Sequence, residues 1–509
     1  MSDIEPTGQT VEADSFFPDD EEDVRTPRQP VTFRGVAIVG ARVVTGAIGI
    51  GVAVVAIAAS TLVPLPAVTA VAPSLLVTPV PTAQQLVCSG SVLRLADDSG
   101  QGATEASALG VPRLDAASSS GGVDRVSLER SDADSGGTSA APVVVSTPPN
   151  PADPTERILL SGAQEQEVES GDFVGLVASA CMAPSAESWL VGGATTVGRT
   201  TLLTLSNPTE VPATVDLELV GESGPIAAPG TRGIIVPPSG QRVLSLAGFA
   251  PEVASPVVRV TSTGGQVVAE LQQSIVRGLV PGGVDIVGAS VVPGTDLVIP
   301  GLVISGAADI ETILGIGPGF EDLQTVLRVY VPGEAPAQAT IRVIPEDGVG
   351  TGTSFAFEFD AGRTVDVPIP DLADGAYTVR VESDVPLVAA GRVSSAAGET
   401  TDFAWLAASP ALSDVAPLTI ADGPDPLLHL ANPTETAVTV ALDGVGTEDL
   451  QVTVEAGAAV SVPVAPGASY VMSGFERLHA AVSVGADGFI ARYAVAPPGA
   501  GSSPVLVYP

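Results

Sequence analysis

Acyl transfer, metal-assisted hydrolysis and glycoside hydrolysis each need a small set of side chains, and the chain can be tested for each. A serine or cysteine nucleophile needs a base held against it, and only two histidines, His429 and His479, are present. His429 lies in Leu427-Leu428-His429-Leu430, an apolar run before Asn432-Pro433, where an earlier repeat carries Thr204; that interchange predicts a residue on a strand surface. His479 precedes Ala480 and has no evident partner. No Gly-x-Ser-x-Gly elbow, phosphate loop or His-Glu-x-x-His pair occurs, so no catalytic residue is assigned. A zinc site would have to join both histidines to Cys88 and Cys181 across long stretches of sequence. Ala421-Asp422-Gly423-Pro424-Asp425 gives two acids with a proline between them, too few for a calcium loop, and neither metal nor cofactor is expected.

Carboxylate pairs are uninformative among 58 acids. Those in Pro345-Glu346-Asp347-Gly348, Ala373-Asp374-Gly375 and Ala486-Asp487-Gly488 occupy turns, where an acid can bond its own backbone. Trp189 and Trp405, in Ser188-Trp189-Leu190 and Ala404-Trp405-Leu406, are the candidate contacts for a partner or a glycan, although their matched placement favours packing at junctions. Cys88 and Cys181 are expected to pair in an oxidising compartment, the alternative being two unrelated buried thiols. The bond would close a loop of ~94 residues, worth roughly 4 to 5 kcal/mol in the chain-entropy model.

The elements that must position these residues begin with a helix. From Val43 to Val63 the chain runs 21 residues without charge or proline. At a rise of ~1.5 Å per residue this spans about 31 Å, enough for a bilayer core. Arg25, Arg28, Arg34 and Arg42 all precede the run and hold the N-terminus in the cytoplasm. An uncleaved signal anchor is expected rather than a cleaved signal peptide, despite the small residues Val68-Thr69-Ala70, because the core is long and 42 residues precede it. The chain thus divides into a disordered acidic tail (1–34), a membrane helix (35–63) and a proline-rich stalk (64–83). A diverged β domain (84–195) with a low-complexity insert (96–155) follows, then three β-sandwiches at 196–295, 296–415 and 416–509.

The sandwich expectation rests on repeats. Leu205-Ser206-Asn207-Pro208-Thr209-Glu210 matches Leu430-Ala431-Asn432-Pro433-Thr434-Glu435, and Val329-Tyr330-Val331-Pro332-Gly333-Glu334 follows the same plan more loosely. Val215-Asp216-Leu217-Glu218-Leu219 alternates as a half-buried strand should. A hairpin is predicted in each unit: Val257–Val260 with Val267–Ala269, Tyr377–Val381 with Leu387–Ala389, and Ala480–Val484 with Phe489–Ala491. Gly and Pro together number 101 while aromatics are 4%, which favours short strands of Val, Ile, Leu and Ala over helices. The predicted fold class is all-β, with tandem immunoglobulin-like sandwiches and helix confined to the membrane span.

The formal charge of −37 excludes nucleic acid as a partner, since a polyanion would be repelled and no basic stripe exists. All 21 basic residues are Arg, read as the codon bias of a GC-rich genome. Cys181-Met182-Ala183-Pro184, Ser188-Trp189-Leu190-Val191-Gly192-Gly193, Gly198-Arg199 and Asn207-Pro208, with Cys88, Arg277-Gly278 and Pro281-Gly282-Gly283, resemble an uncharacterised family of actinobacterial membrane-anchored cell-envelope proteins. The resemblance implies an extracytoplasmic location and a link with envelope glycosyltransferases, and no catalytic residue. The expected role is a non-enzymatic scaffold contacting another envelope membrane protein or wall polymer. The alternative is an accessory carbohydrate-binding or carbohydrate-processing protein.

Overall fold

The computed structural model describes residues 46–55, 75–77, 83–95, 106–130, 133–134, 140–150, 157–347, 352–499 and 505–507. The acidic tail, most of the stalk and both ends of the expected membrane span lie outside the described residues. Residues 46–55 are helical, and Ile48, Ile50, Val52, Val54 and Val55 are exposed on them. Among the described residues no helix is long and apolar enough to cross a membrane. The chain forms two units, and the larger, Leu76–Val507, holds the β structure.

That structure is all-β but for the helix Ala307–Leu314 and two 3-10 turns among the described residues, so the expectation that helix stops at residue 63 is corrected. The β structure falls into four units, at 84–180, 187–287, 294–407 and 412–495. Each ends in an antiparallel hairpin: Leu160–Ser170 with Phe173–Ala180, Val268–Arg277 with Val280–Val287, Gly375–Ala397 with Thr400–Ala407, and Ser469–Val484 with Ala491–Ala494. The second strands of these hairpins pack in a closed cycle, 173–180 against 280–287, then 400–407, then 491–494, and back to 173–180. Sheet edges therefore face a common centre.

In each of the last three units two sheets close over one core. Alternation places the side chains as expected: in Ala213–Gly221, Val215, Leu217 and Leu219 are buried and Asp216 and Glu218 exposed. Two of the three predicted hairpins are corrected. Val257–Gly264 and Val268–Arg277 belong to different sheets. Gly375–Ala397 is one strand whose first half pairs with Ala337–Pro345 and whose second half pairs with Val326–Tyr330 in the other sheet. Ser469–Val484 changes sheet in the same way, and only the turn at Asp487-Gly488 reverses the chain. An alternating run interrupted by Gly or Pro looks the same in sequence whether it folds back or bends over the edge of a core. At the bend in unit four Gly474 has φ 90°, and a Cβ there would lie 2.5 Å from the Thr439 carbonyl oxygen.

The units also share cores, unlike a string of separate domains. The core of unit two takes in Tyr330, Val388, Ala390, Phe403, Trp405 and Ala407 of unit three, and that of unit four takes in Ala163, Leu176 and Ala178 of unit one. Within 96–155, read from composition as a loop, the structure places Arg113–Ser118 against Leu160–Glu165, Glu129–Arg130 against Gly240–Gln241, and Val143–Thr147 against Gln84–Cys88. Each short strand extends a sheet formed by distant sequence, which local composition cannot reveal.

The Asn-Pro-Thr repeat has a definite task. Asn207 Nδ2 donates to the carbonyls of Val211, Val236 and Pro237, while its Oδ1 accepts from the Thr209 amide and hydroxyl. Asn432 does the same with Thr436, Val454, Glu455 and Thr434. Losing such a buried amide strands several carbonyls at once. Asn432→Ala is expected to cost about 3 kcal/mol in denaturant unfolding, and Asn207→Ala a similar amount. A change under about 0.5 kcal/mol would contradict the assignment.

Candidate functional site

The constellation closest to chemistry lies where unit three meets unit four. Strand Leu427–Ala431 carries His429, whose Nδ1 is 2.5 Å from Glu346 Oε2 and whose Nε2 is 2.8 Å from Ser483 Oγ. Glu346 Oε1 accepts from the Gly301 amide at 2.9 Å and the Thr378 hydroxyl at 2.7 Å. The connectivity is that of a serine–histidine–acid triad. His429 is 0% exposed, which corrects the strand-surface expectation, and Ser483 is also buried. Gly301 (φ 79°) lies over the ring so closely that a Cβ would sit 2.8 Å from Cδ2. Burial raises the Glu346 carboxyl, but the electrostatic pull and hydrogen bond of His429, with the other two donors, hold it below the usual carboxylate range. Glu346 does sit in a turn, as its Pro-Glu-Asp-Gly context implied, but its side chain is buried and anchors unit three to unit four. Within unit three, Asp374 accepts from the Ala307 amide at the start of the helix.

The same repeat position works at the previous junction. Arg328 replaces His429 there, bound to Asp366 through Nε (2.8 Å) and Nη2 (3.0 Å) and reaching the carbonyls of Gly193, Pro256 and Ala254 in unit two. His479 donates from Nδ1 to the Ser409 carbonyl, while its buried Nε2 has no hydrogen-bond partner. Burial pushes its pKa down to about 4.

At the centre of the ring Asp402 accepts from the amides of Leu176 (2.9 Å), Val284 (3.2 Å) and Ile490 (3.3 Å), one in each of the other three units. Burial raises its pKa well above the ordinary value, against the pull of those backbone donors. Asp285 accepts from the Trp405 amide, and Glu270 from the Ser89 hydroxyl; burial pushes each up to about 7.

Trp189 is 6% exposed, and its Nε1 donates to Glu187. Trp405 is 2% exposed, its Nε1 donates to Gln273, and Arg328 stacks 4.4 Å from its ring centroid. Rings so covered offer no stacking platform, so the partner or glycan contact considered for both is replaced by packing at junctions. Cys88 and Cys181 form a disulfide with a sequence separation of 93, joining strand Gln84–Cys88 to the end of the hub strand Phe173–Ala180. Glutamine amides clamp the chain just beyond it. Gln164 both accepts from and donates to the Gly90 backbone, Gln272 does so at Leu93, and Gln166 accepts from Val92 and donates to Leu109.

One open cleft of about 420 Å³ lies between units two and three. Its lining includes Arg199, Arg328, Arg392, Asp322, Asp366 and Gln273. Among the described residues no group of three or more His, Cys, Asp or Glu side chains is arranged to hold a metal ion. Sequence reading missed Asp402, the His429–Glu346 pair and this cleft, because each is assembled from separate units. The one available signal was that a polar residue of a different type, Thr204, Arg328 or His429, stands at the same position within the apolar run of each repeat.

Residues 133–465 match the model of a family of unknown function, DUF5719. The match spans more than half of the chain, and the chain belongs to this family. No curated protein matches it.

Two outcomes follow from these contacts. The unfolded chain protonates His479 near pH 6.5 and the folded chain only near 4, so stability is lost as pH falls through that window, by on the order of 3 kcal/mol. Glu270 and Asp285, raised to about 7, act in the opposite sense, their contribution being lost as pH rises toward 7. The diagnostic is therefore the difference between wild type and His479→Gln in unfolding free energy across pH 4 to 7, which should slope, not lie flat. Replacing Cys88 and Cys181 together by Ser is expected to cost roughly 4 kcal/mol in the same assay.

Proposed function

We propose that this protein is a non-enzymatic, single-pass membrane-anchored scaffold of an actinobacterial cell envelope, with its N-terminus cytoplasmic and its immunoglobulin-like β-sandwich units outside. It acts by presenting one rigid surface to another envelope membrane protein or to wall polymer. The observation that carries this reading is the burial of the Ser483–His429–Glu346 arrangement inside a junction, where it pins two units together. Three further features support it. Residues 46–55 form a helix whose apolar side chains are exposed, as in a segment that faces lipid. The disulfide suits an oxidising compartment. Shared cores make the β units one body able to hold a fixed surface. The carbohydrate-binding alternative loses its aromatic platforms to burial.

Two experiments test the proposal. Ser483→Ala is expected to fold with a loss of about 1 kcal/mol and to complement a deletion strain as the wild type does. A folded variant that fails to complement would make Ser483 a nucleophile. Protease added to spheroplasts should digest the region after residue 83, and full protection of that region would overturn the topology.

A further inference from the structure

At the cleft between units two and three, Arg199, Arg328 and Arg392 of the lining face Asp322, Asp366 and Glu321, and Arg277, behind the lining, adds a fourth cation through its ion pair with Asp322. Asp322, on the 3-10 turn Glu321–Leu323, is approached by three guanidinium groups. Arg277 of unit two binds it through Nε and Nη2, both at 3.0 Å. Arg199 of unit two lies at 3.3 Å, and Arg392 of unit three at 3.6 Å. Arg328 is already matched by Asp366. A single carboxylate thus faces three cations, and the remaining acid at the cleft, Glu321, is exposed at its mouth and bonded to the Gly319 amide. The Arg392 side chain is only 7% exposed; its Nη1 donates to the Asp322 carbonyl, yet Nε and Nη2 have no hydrogen-bond partner. Unmatched charge and unused donors are expensive in a buried place. In a chain with a net charge of −37 the concentration of arginine here is not a general surface property.

Asp322 reaches the arginines on an excursion that units two and four do not make. Between its first two strands, Gly294–Ile304 and Val326–Tyr330, the chain inserts the helix Ala307–Leu314 and the turn carrying Asp322. At the corresponding place units two and four run from Glu187–Val191 to Arg199–Asn207 and from Leu412–Thr419 to Leu427–Ala431 with short links. Exposed apolar residues lie close in sequence to the arginines, Val197 two before Arg199 and Leu279 and Val280 just after Arg277, and Ile316 is exposed on the excursion itself.

We propose that this cleft binds a phosphate-type oxyanion, for which the Asp322 carboxylate stands in, and which pairs with Arg199, Arg277 and the unused edge of Arg392. A tetrahedral oxyanion can accept from several guanidinium forks at once, as one carboxylate cannot. The oxyanion belongs either to free phosphate or to an anionic lipid headgroup.

The test uses the full chain in detergent. Inorganic phosphate is titrated by calorimetry at constant ionic strength with chloride as balance, and flotation is measured with vesicles of phosphatidylglycerol or of phosphatidylcholine alone. Saturable phosphate binding, or flotation with the anionic vesicles only, supports the site and identifies which source it takes. Arg199→Gln, at a partly exposed position that should leave the fold intact, is expected to weaken binding at least tenfold. Asp322→Asn, which removes the competing charge, is expected to tighten it severalfold. Binding unchanged in Arg199→Gln, or weakened in folded Asp322→Asn, would overturn the proposal, as would the absence of binding in both arms or an effect that chloride reproduces.

Discussion

Four sheets meet at their edges in the middle of this protein, and a sheet edge carries amides with no partner in the ladder. In a dry centre those amides must be satisfied from somewhere. Asp402 does this for three units at once, with Oδ1 accepting from Val284 and Oδ2 from Leu176 and Ile490. The approach is tight enough to dictate glycine around it: a Cβ at Gly283 would lie 2.5 Å, and one at Gly175 2.9 Å, from Asp402 Oδ1. The hub therefore limits how closely the inner strands approach one another, and the outer sheets follow from it.

Moving outward, two junctions are fastened by a buried polar group at an equivalent repeat position. Arg328 fastens unit three to unit two, and His429 fastens unit four to unit three. The chemistry differs while the task is the same. The triad-like geometry also serves the junction itself, since Glu346 and Ser483 satisfy both nitrogens of an imidazole buried between units. Cores shared across the boundaries make the same point in apolar terms, since the large rings of Phe403 and Trp405 are buried among residues of the preceding unit.

What was legible in the sequence was local. Alternation marked Ala213–Gly221 correctly, the Asn-Pro-Thr repeats marked equivalent turns, and Cys88 and Cys181 were the only thiols available to pair. What was hidden depended on partners far along the chain. Whether Val257–Gly264 turns back or crosses to the facing sheet is decided by which distant strand offers a free edge, and both outcomes share one hydrophobic pattern. The placement of Glu346 was hidden for a related reason. A Pro-Glu-Asp-Gly segment looks like a solvated turn until His429 of the next unit is brought against it.

The exclusive use of arginine takes on meaning beyond codon bias once its contacts are followed. Arg492 is buried with no carboxylate among its hydrogen-bond partners: it donates to the Pro300 carbonyl from Nε (3.1 Å) and Nη2 (2.7 Å), to the Ala407 carbonyl from Nη1, and to the Ser409 hydroxyl from Nη2. Burial pushes its pKa down to about 9, so the cation persists at neutral pH. A guanidinium spreads its charge over a planar fork and can tie several carbonyls on separate strands, whereas a lysine ammonium offers three donors from one point. Joining four units through carbonyl-lined seams is work that suits the fork. The same economy that makes Arg328 and Arg492 good fasteners is incomplete at Arg392, a fork whose Nε and Nη2 have no hydrogen-bond partner.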